Sequence, residues 1–460
     1  MMKTVLTALL LILPLSLHGR SELTDETRVE MIDAVCELLR EHYVFPDVAE
    51  KLCDTLHVRL EKGYYNVNTY DELSDLLSRD LKSVNQDGHL NVWWIPPDRH
   101  NQNTEKVDPI VRQLHIIRTN AERGFDFKKV EILEGNIGYL ELTKFKSIPD
   151  PKLERMLEGT MNFLSNCSAF ILDLRRNNGG NYKMIQKFLS YFFEKPVKIT
   201  GRYTRPSGGV KEIYTRDDVD NKHLFDIPLY VLVSSRTVSG PEQVAYDLQA
   251  LNRAIIIGEH TKGAANPSRF HRIKEKLLVC IPYGYAVNPV TGGNWEGTGI
   301  TPDIIVPADS ALPKAIELAT IAAEDMQKKE EAKVDSLIVV LQNKMKQVES
   351  LLQTDFSKAE ELFSRILDEF FEIEYMNQYL LLEWLDQYKE EGNTAALEMI
   401  ARQGVERYPE DDRFYSWLGD TYYEKGDLEK ALEAYQGLML LNPNDVRVKS
   451  KIEEIRNRTS

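Results

Sequence analysis

The spacing of hydrophobic positions changes character twice along the chain. From Asp25 to about Lys82 they recur at helical intervals, as Val29, Ile32, Val35 and Leu38, then Leu52, Leu56 and Leu60, then Leu73, Leu76, Leu77 and Leu81. That period predicts three helices and little else. The polar stretch Pro96 to Asn103, rich in Pro, Asp, Asn and Gln, interrupts it and reads as a boundary loop. Beyond it, short apolar and β-branched runs at 137–142, 169–174, 229–233, 254–257 and 277–281 alternate with helical periodicity over 152–164, 182–193 and 241–251. Strands alternating with helices predict an α/β core over about 107–312. After Leu312 the strand signals vanish, and the remainder reads as strongly charged helix.

Length and charge narrow the function classes. A chain of 460 residues is long enough for about three domains, and 42% apolar with 28% charged residues is ordinary globular usage. The net charge of -15 repels phosphate backbones and anionic lipid, which argues against nucleic acid as a partner. Cys36, Cys53, Cys167 and Cys280 include no CxxC pair, so neither a disulfide scaffold nor a structural zinc site is expected. Cys36 and Cys53 would pair only if their two helices formed a hairpin in an oxidising compartment; buried free thiols are the simpler state. Lys3, the apolar run Val5 to Leu17, and small Gly19 and Ser21 read as a secretory signal over 1–21. The run falls short of the ~20 residues that span a bilayer. An exported protein without stable membrane insertion is expected, in the periplasm or secreted.

The tail carries an internal repeat. Asp386, Tyr388, Gly392 and Pro409 recur as Asp420, Tyr422, Gly426 and Pro443, an offset of about 34 residues, the period of paired-helix repeats. Trp417, Leu418, Gly419, Tyr422, Gly426, Ala431, Tyr435 and Pro443 resemble the tetratricopeptide pattern. A degenerate pair over 336–371, where Ala359, Phe363 and Leu367 have second-helix spacing, would support these repeats.

Four segments could carry chemistry. Thr237-Val238-Ser239-Gly240-Pro241-Glu242 follows a strand and opens a helix, which makes Ser239 either a helix cap with Glu242 reaching back or a nucleophile beside free backbone N–H groups. Asp173 to Asn181 ends a strand in the Gly179-Gly180 turn; the glycines can aim an N–H at a substrate oxygen, while Asp173 and Arg175 read equally well as a structural ion pair. Gln86-Asp87-Gly88-His89-Leu90 offers one histidine, and Asn294 to Asp303 is a glycine-rich loop with one carboxylate, Glu296. Taken singly, a structural role suits His89, and Glu296 reads as a solvated loop residue.

Their order along the chain, together with Gly258-Glu259-His260-Thr261-Lys262-Gly263, resembles serine peptidases of the tail-specific (C-terminal processing) and tricorn core family. Ala265-Asn266-Pro267 and Asn288-Pro289-Val290-Thr291-Gly292 are similar to its interphotoreceptor retinoid-binding protein-like branch. The resemblance implies a ClpP/crotonase-like α/β core of ββα units over 106–315 and an N-terminal helical subdomain over 22–105; the repeat pattern adds a charged connector or degenerate repeat over 316–375 and an all-α tetratricopeptide-like module over 376–460. It implies Ser239 as nucleophile, His89 as base, Glu296 as orienting carboxylate, and an oxyanion hole from Gly240 with Gly179 or Gly180. It implies no metal and no cofactor.

The tail-specific division places a lysine where Ala264 stands, and Lys262 falls two residues early, which disfavours a Ser-Lys dyad. Gly88 replaces the serine that precedes the histidine in tricorn-like members, and about 45 residues between His89 and Ile137 leave no room for a PDZ domain. The expected partner is a peptide or unfolded protein segment, with a further protein partner at the repeats. The competing readings are an inactive carrier of a retinoid or other hydrophobic ligand on the same fold, and a scaffold acting through its repeats. Oligomeric state and cleavage preference are not legible.

Overall fold

The computed structural model describes residues 23–96, 108–147, 151–219, 224–372 and 377–459. The apolar leader and most of the 96–103 loop lie outside the described residues. Two compact units are present, dividing near Lys328.

The first unit opens with helices Asp25–His42, Pro46–Glu61 and Tyr70–Val84, the three that the period predicts. Thr24 and Thr69 cap the first and third through their hydroxyls. Strands follow as β1 (Asn91–Trp94), β2 (Phe127–Leu133), β3 (Ile137–Leu142), β4 (Ala169–Asp173), β5 (Lys198–Thr204), β6 (Val210–Tyr214), β7 (Leu229–Val233), β8 (Ile255–Gly258), β9 (Ser268–Ile273), β10 (Leu277–Pro282), β11 (Gly284–Val287) and β12 (Ile304–Ile305).

The central sheet has the order β12-β8-β7-β4-β3-β2, parallel except for the β2–β3 edge pair. Its middle strands β4 and β7 are buried at every residue, as a parallel sheet covered on both faces requires. Helices Pro151–Phe163, Tyr182–Ser190 and Gly240–Ala250 pack on one face through Leu157, Met161, Phe188, Val244 and Leu248. The other face takes Ala311, Ala315, Ala319 and Ala323 from the helix Ala308–Leu352. An alanine every fourth residue gives that helix a flat stripe, so its backbone can approach the sheet closely. This is a mixed α/β core with a separate all-helical C-terminal region.

The five apolar runs become β3, β4, β7, β8 and β10; the other strands lacked a signal because they are short, edge-placed or half exposed. In β9, for example, Arg269, Phe270 and Arg272 all face solvent. Antiparallel β9 and β10, joined by β1, form a small sheet whose Ile273, Leu277, Val279 and Ile281 share one core with Met31, Val35, Leu39, Leu52, Leu73 and Leu77 of the three helices. The helical layer is therefore completed by a hairpin nearly 200 positions away. Arg205, just beyond β5, adds a further tie to this layer, its guanidinium donating to the carbonyls of Arg40 and Tyr43. Cys36, Cys53, Cys167 and Cys280 are buried free thiols; Cys53 Sγ lies 3.6 Å from the Cys36 carbonyl.

The second unit stacks helices Phe356–Glu372, Gln378–Glu390, Thr394–Arg407, Asp412–Lys425, Leu428–Leu441 and Val446–Thr459. Val348, Ala359, Phe363 and Leu367 join Leu381, Leu385 and Ile400 in one core, so the 336–371 region packs with the repeats. Glycines let these helices close on aromatic rings: a Cβ on Gly404 would sit 2.1 Å from Phe414, and one on Gly419 2.5 Å from Tyr435. Among the described residues no helix is long and apolar enough to cross a membrane.

Leu277 is fully buried where the hairpin meets the three helices. Leu277→Ala is expected to destabilise the chain by about 2–5 kcal/mol, read as an earlier urea midpoint for a fluorophore placed in the helical layer. A midpoint unchanged within error would show that the layer does not depend on the hairpin.

Candidate active site

The turn after β7 is clamped before it reaches Ser239. Thr237 Oγ1 accepts from the Ser234 N–H and donates to the Leu174 carbonyl, and the Val238 N–H donates to the Asn177 carbonyl, tying this turn to the end of β4. Ser239 itself sits at φ 69°, ψ -113°, a conformation that a residue with a side chain holds only when its surroundings enforce it. Glu242 supplies part of that enforcement. Its buried carboxylate accepts from the Ser239 N–H at 2.7 Å, from Thr261 Oγ1 at 2.5 Å, and from the N–H groups of Gly263 and Ala264 at 2.6 and 3.0 Å. The capping reading of Glu242 therefore holds, while the serine hydroxyl faces elsewhere: Ser239 Oγ lies 3.3 Å from His89 Nε2.

His89 arrives on the link between the third helix and β1. Asp87, almost wholly buried, shapes this link by accepting from the His89 N–H at 3.1 Å, Asn266 Nδ2 at 2.9 Å and the Tyr43 hydroxyl at 3.3 Å. Glu296 holds it from the other side. One of its oxygens accepts from the Gly88 N–H at 2.6 Å, and the other from the N–H groups of Ala265 and Asn266 at 2.6 and 2.8 Å. The structure thus brings Ser239, His89 and Glu296 together. Glu296, however, bonds the backbone beside the histidine, and His89 Nδ1 is buried without a hydrogen-bond partner. Both carboxylates have an oxygen within 4.8 Å of an imidazole nitrogen.

Burial governs the electrostatics. It pushes Glu296 up to about 7, and the neighbouring Asp87 charge adds to the rise. Asp87 is also raised by burial, against the hydrogen bond from Asn266. His89 is lowered by burial, opposed by Asp87, which favours the neutral imidazole. The same three residues have metal-ligand atoms within reach of one another, but the oxygens of both carboxylates are committed to protein donors and Nε2 faces Ser239. The cluster fits a hydrogen-bonded acid-base site better than a cation cage.

The glycine turn lies against the serine. A Cβ on Gly179 would sit 3.6 Å from Ser239 Cβ, and one on Gly240 3.2 Å from the Gly180 nitrogen. Gly180 adopts φ +149°, and a Cβ there would fall 2.0 Å from the Phe145 carbonyl oxygen. Of the two turn glycines, Gly179 donates its N–H to Asn177 Oδ1 at 3.1 Å. That commitment leaves the N–H groups of Gly180 and Gly240 as the pair suited to an anionic oxygen. Asp173 and Arg175 prove structural: the guanidinium binds Asp173 and the Ala308 carbonyl. Lys262 is exposed and does not line the cavity at Ser239.

That cavity is about 570 Å³ and is lined by His89, Ser239, Gly179, Gly180 and Gly240 together with Lys144, Arg202, Gln243, Trp295 and others. Sequence reasoning missed Asp87 and Asn266 as site builders, the bonds of Glu242 beyond its cap to Thr261, Gly263 and Ala264, and Arg202 as a lining residue. Asp87 and Glu242 stand inside the motifs already singled out, but their partners are remote in sequence.

Comparison with known proteins assigns the core to a peptidase family model. Residues 136–306 match Peptidase family S41, residues 24–125 match the N-terminal domain of Peptidase_S41 in eukaryotic IRBP, and residues 412–445 match a tetratricopeptide repeat. The chain is 29% identical over 178 residues to carboxyl-terminal-processing peptidase 2, chloroplastic, of Arabidopsis thaliana, covering 39% of this chain and 33% of that one. It is 24% identical over 200 residues to a carboxyl-terminal-processing protease of Picosynechococcus, covering 43% of this chain and 46% of that one. It thus spans less than half the length of the curated relatives it matches. A solved photosystem II D1 C-terminal processing protease superposes with a TM-score of 0.41 at 14% identity, over 64% of this chain and 96% of that one.

Gly88 has no space for a side chain: a Cβ there would lie 2.8 Å from the Gly263 carbonyl and 2.9 Å from Ala264 Cβ. Gly88→Ser is therefore expected to push the His89 link outward, lengthening the Nε2–Oγ separation in a crystal structure of the variant and slowing fluorophosphonate labelling of Ser239 at least about 10-fold. Labelling at the parent rate would show that the tight packing of Gly88 does not position the histidine.

Proposed function

We propose that this chain, which carries a peptidase family S41 domain, is an exported serine peptidase using Ser239 as nucleophile and His89 as base. The observation that carries the reading is the 3.3 Å contact between the strained Ser239 hydroxyl and His89 Nε2. In the first step Nε2 takes the hydroxyl proton as Oγ attacks the scissile carbonyl carbon. The N–H groups of Gly180 and Gly240 receive the oxyanion. The imidazolium then gives its proton to the departing amine, leaving an acyl-enzyme. Water, deprotonated by His89, hydrolyses the ester and restores the serine.

A neutral imidazole that accepts at Nε2 carries its proton on Nδ1. With no partner bonded there, stabilisation of the imidazolium falls to the field of Asp87 and Glu296, the two carboxylates packed beside it. Glu296 acts additionally as a positioning residue, through the Gly88 N–H.

The cavity favours a peptide over a hydrophobic carrier's ligand. Lys144, Asn178, Asn181, Arg202 and Gln243 line it, and an apolar ligand would strip water from these groups without replacing their hydrogen bonds. The repeat at 412–445 suits a protein partner, and export rests on the apolar stretch Val5 to Leu17.

Two measurements test the reading. A fluorophosphonate probe should label Ser239 of the folded parent, and Ser239→Ala should lose both the label and peptide turnover, with kcat down by at least about 10⁴. Equal turnover by Ser239→Ala would overturn the assignment. The rate should also rise with pH through about 7, because Glu296 must lose its proton to support an imidazolium. In Glu296→Gln that limb should disappear along with most of the rate; a limb that persists unchanged would remove Glu296 from the titration.

A further inference from the structure

Arg202, on β5, stands out among the groups that face the cavity. Its guanidinium stacks on the Tyr182 ring, 4.4 Å from the centroid. Burial lowers its pKa, and the charges that oppose the shift come from Tyr283 and Tyr182, with no carboxylate among them. No Asp or Glu is found among the described residues that line the cavity, while Lys144 adds a second cation at the rim. Helices Tyr182–Ser190 and Gly240–Ala250 also turn their N-terminal residues toward the same space, and both ends carry partial positive charge. In a chain of net charge -15, a cavity whose described lining holds no anion is a local inversion. A partly desolvated cation without a counter-charge is costly, and a ligand that supplies one recovers that cost.

We propose that the cavity beside Ser239 selects substrates through a carboxylate that pairs with Arg202. The inference rests on the peptidase reading and names its substrate class: peptides that present an anionic group within one or two residues of the scissile bond. Two sources share this chemistry, an acidic side chain next to the bond and the free C-terminus of the substrate. The planar guanidinium, braced by the Tyr182 ring, would bind either one through paired N–H donors. Tyr182 and Arg202 then act as specificity residues, while the bond-breaking groups remain Ser239 and His89.

The test uses full-length Ser239→Ala protein, so that binding is read apart from turnover. Fluorescent peptides are compared in pairs by anisotropy: Glu against Gln before the scissile position, and free acid against amide at the C-terminus. The carboxylate member of at least one pair should bind about 10- to 100-fold more tightly, with the advantage shrinking as salt rises. Preference in the first pair alone assigns the acidic side chain, and preference in the second alone assigns the C-terminus. Arg202→Gln, introduced into the same protein, should cut that preference to under about threefold, and Arg202→Lys should keep part of it, which separates lost charge from lost folding. Equal affinities within both pairs, or a preference that survives Arg202→Gln, would overturn the inference. Fluorophosphonate labelling of the parent decides the peptidase reading separately: a labelled serine with no carboxylate preference refutes only the role of Arg202, and a preference without label refutes only the chemistry.

Discussion

One carboxylate does more than any other to assemble this site. Glu296 draws together the Gly88, Ala265 and Asn266 N–H groups, and so ties the link that carries His89 and the 265–266 segment to its own late loop. The imidazole belongs to the helical layer, the serine to the central sheet, and Glu296 to a late loop. A half-buried carboxylate stripped of water needs all the donors it can gather, and backbone N–H groups fixed by tight glycine turns are donors that cannot swing away. The raised pKa that burial brings to Glu296 is the counterpart of this arrangement. The group that ties the site together is also one whose charge near neutrality is not guaranteed.

Glu242 does the corresponding work on the Ser239 side. With four donors on a fully buried carboxylate, it links the Ser239 turn to the segment 261–264, the same segment whose Ala264 packs against Gly88. The two carboxylates therefore anchor neighbouring stretches of a single loop. Strain at Ser239, of order 1–3 kcal/mol for such a backbone, persists because the turn is bonded on both sides. A rigid loop between Glu242 and Glu296 sets the distance between hydroxyl and imidazole, although it contributes no reacting atom.

How much of this the sequence reveals follows from where the information lies. Strands β4 and β7 announce themselves because a parallel strand buried on both faces must be apolar throughout. Strands β5, β6, β9 and β11 lie in small antiparallel sheets, where half the side chains face water and the pattern blurs into loop. Ser239, His89 and Glu296 are legible as candidates through motif order, since each sits at a turn whose glycines are conspicuous. The committed N–H of Gly179 is not, because it depends on which way the Asn177 side chain turns. Nor is the free Nδ1 of His89, which reflects a Glu296 whose oxygens are occupied elsewhere. Asp87 and Glu242 are visible as letters and invisible as anchors, for their partners stand as far away as Asn266 and Ala264. Arg202 gives no signal at all: an arginine in a weak strand acquires meaning only when the fold turns it into a cavity with no carboxylate among its described lining residues.

Local and global charge then act on different scales. At physiological ionic strength charges separated by more than about 8–10 Å are largely screened, so the net acidity of the surface weakens encounter with anionic peptides without reaching into the cavity. Inside the cavity the effective dielectric is lower than in bulk water, so one guanidinium and two helix ends outweigh many distant carboxylates. The same positive field that suits an incoming anion would also suit an oxyanion held by the N–H groups of Gly180 and Gly240. A substrate carboxylate bound at Arg202 would consume part of that field, so selectivity and oxyanion stabilisation must be separated in space, with the anion held by the guanidinium and the oxyanion by the backbone N–H groups.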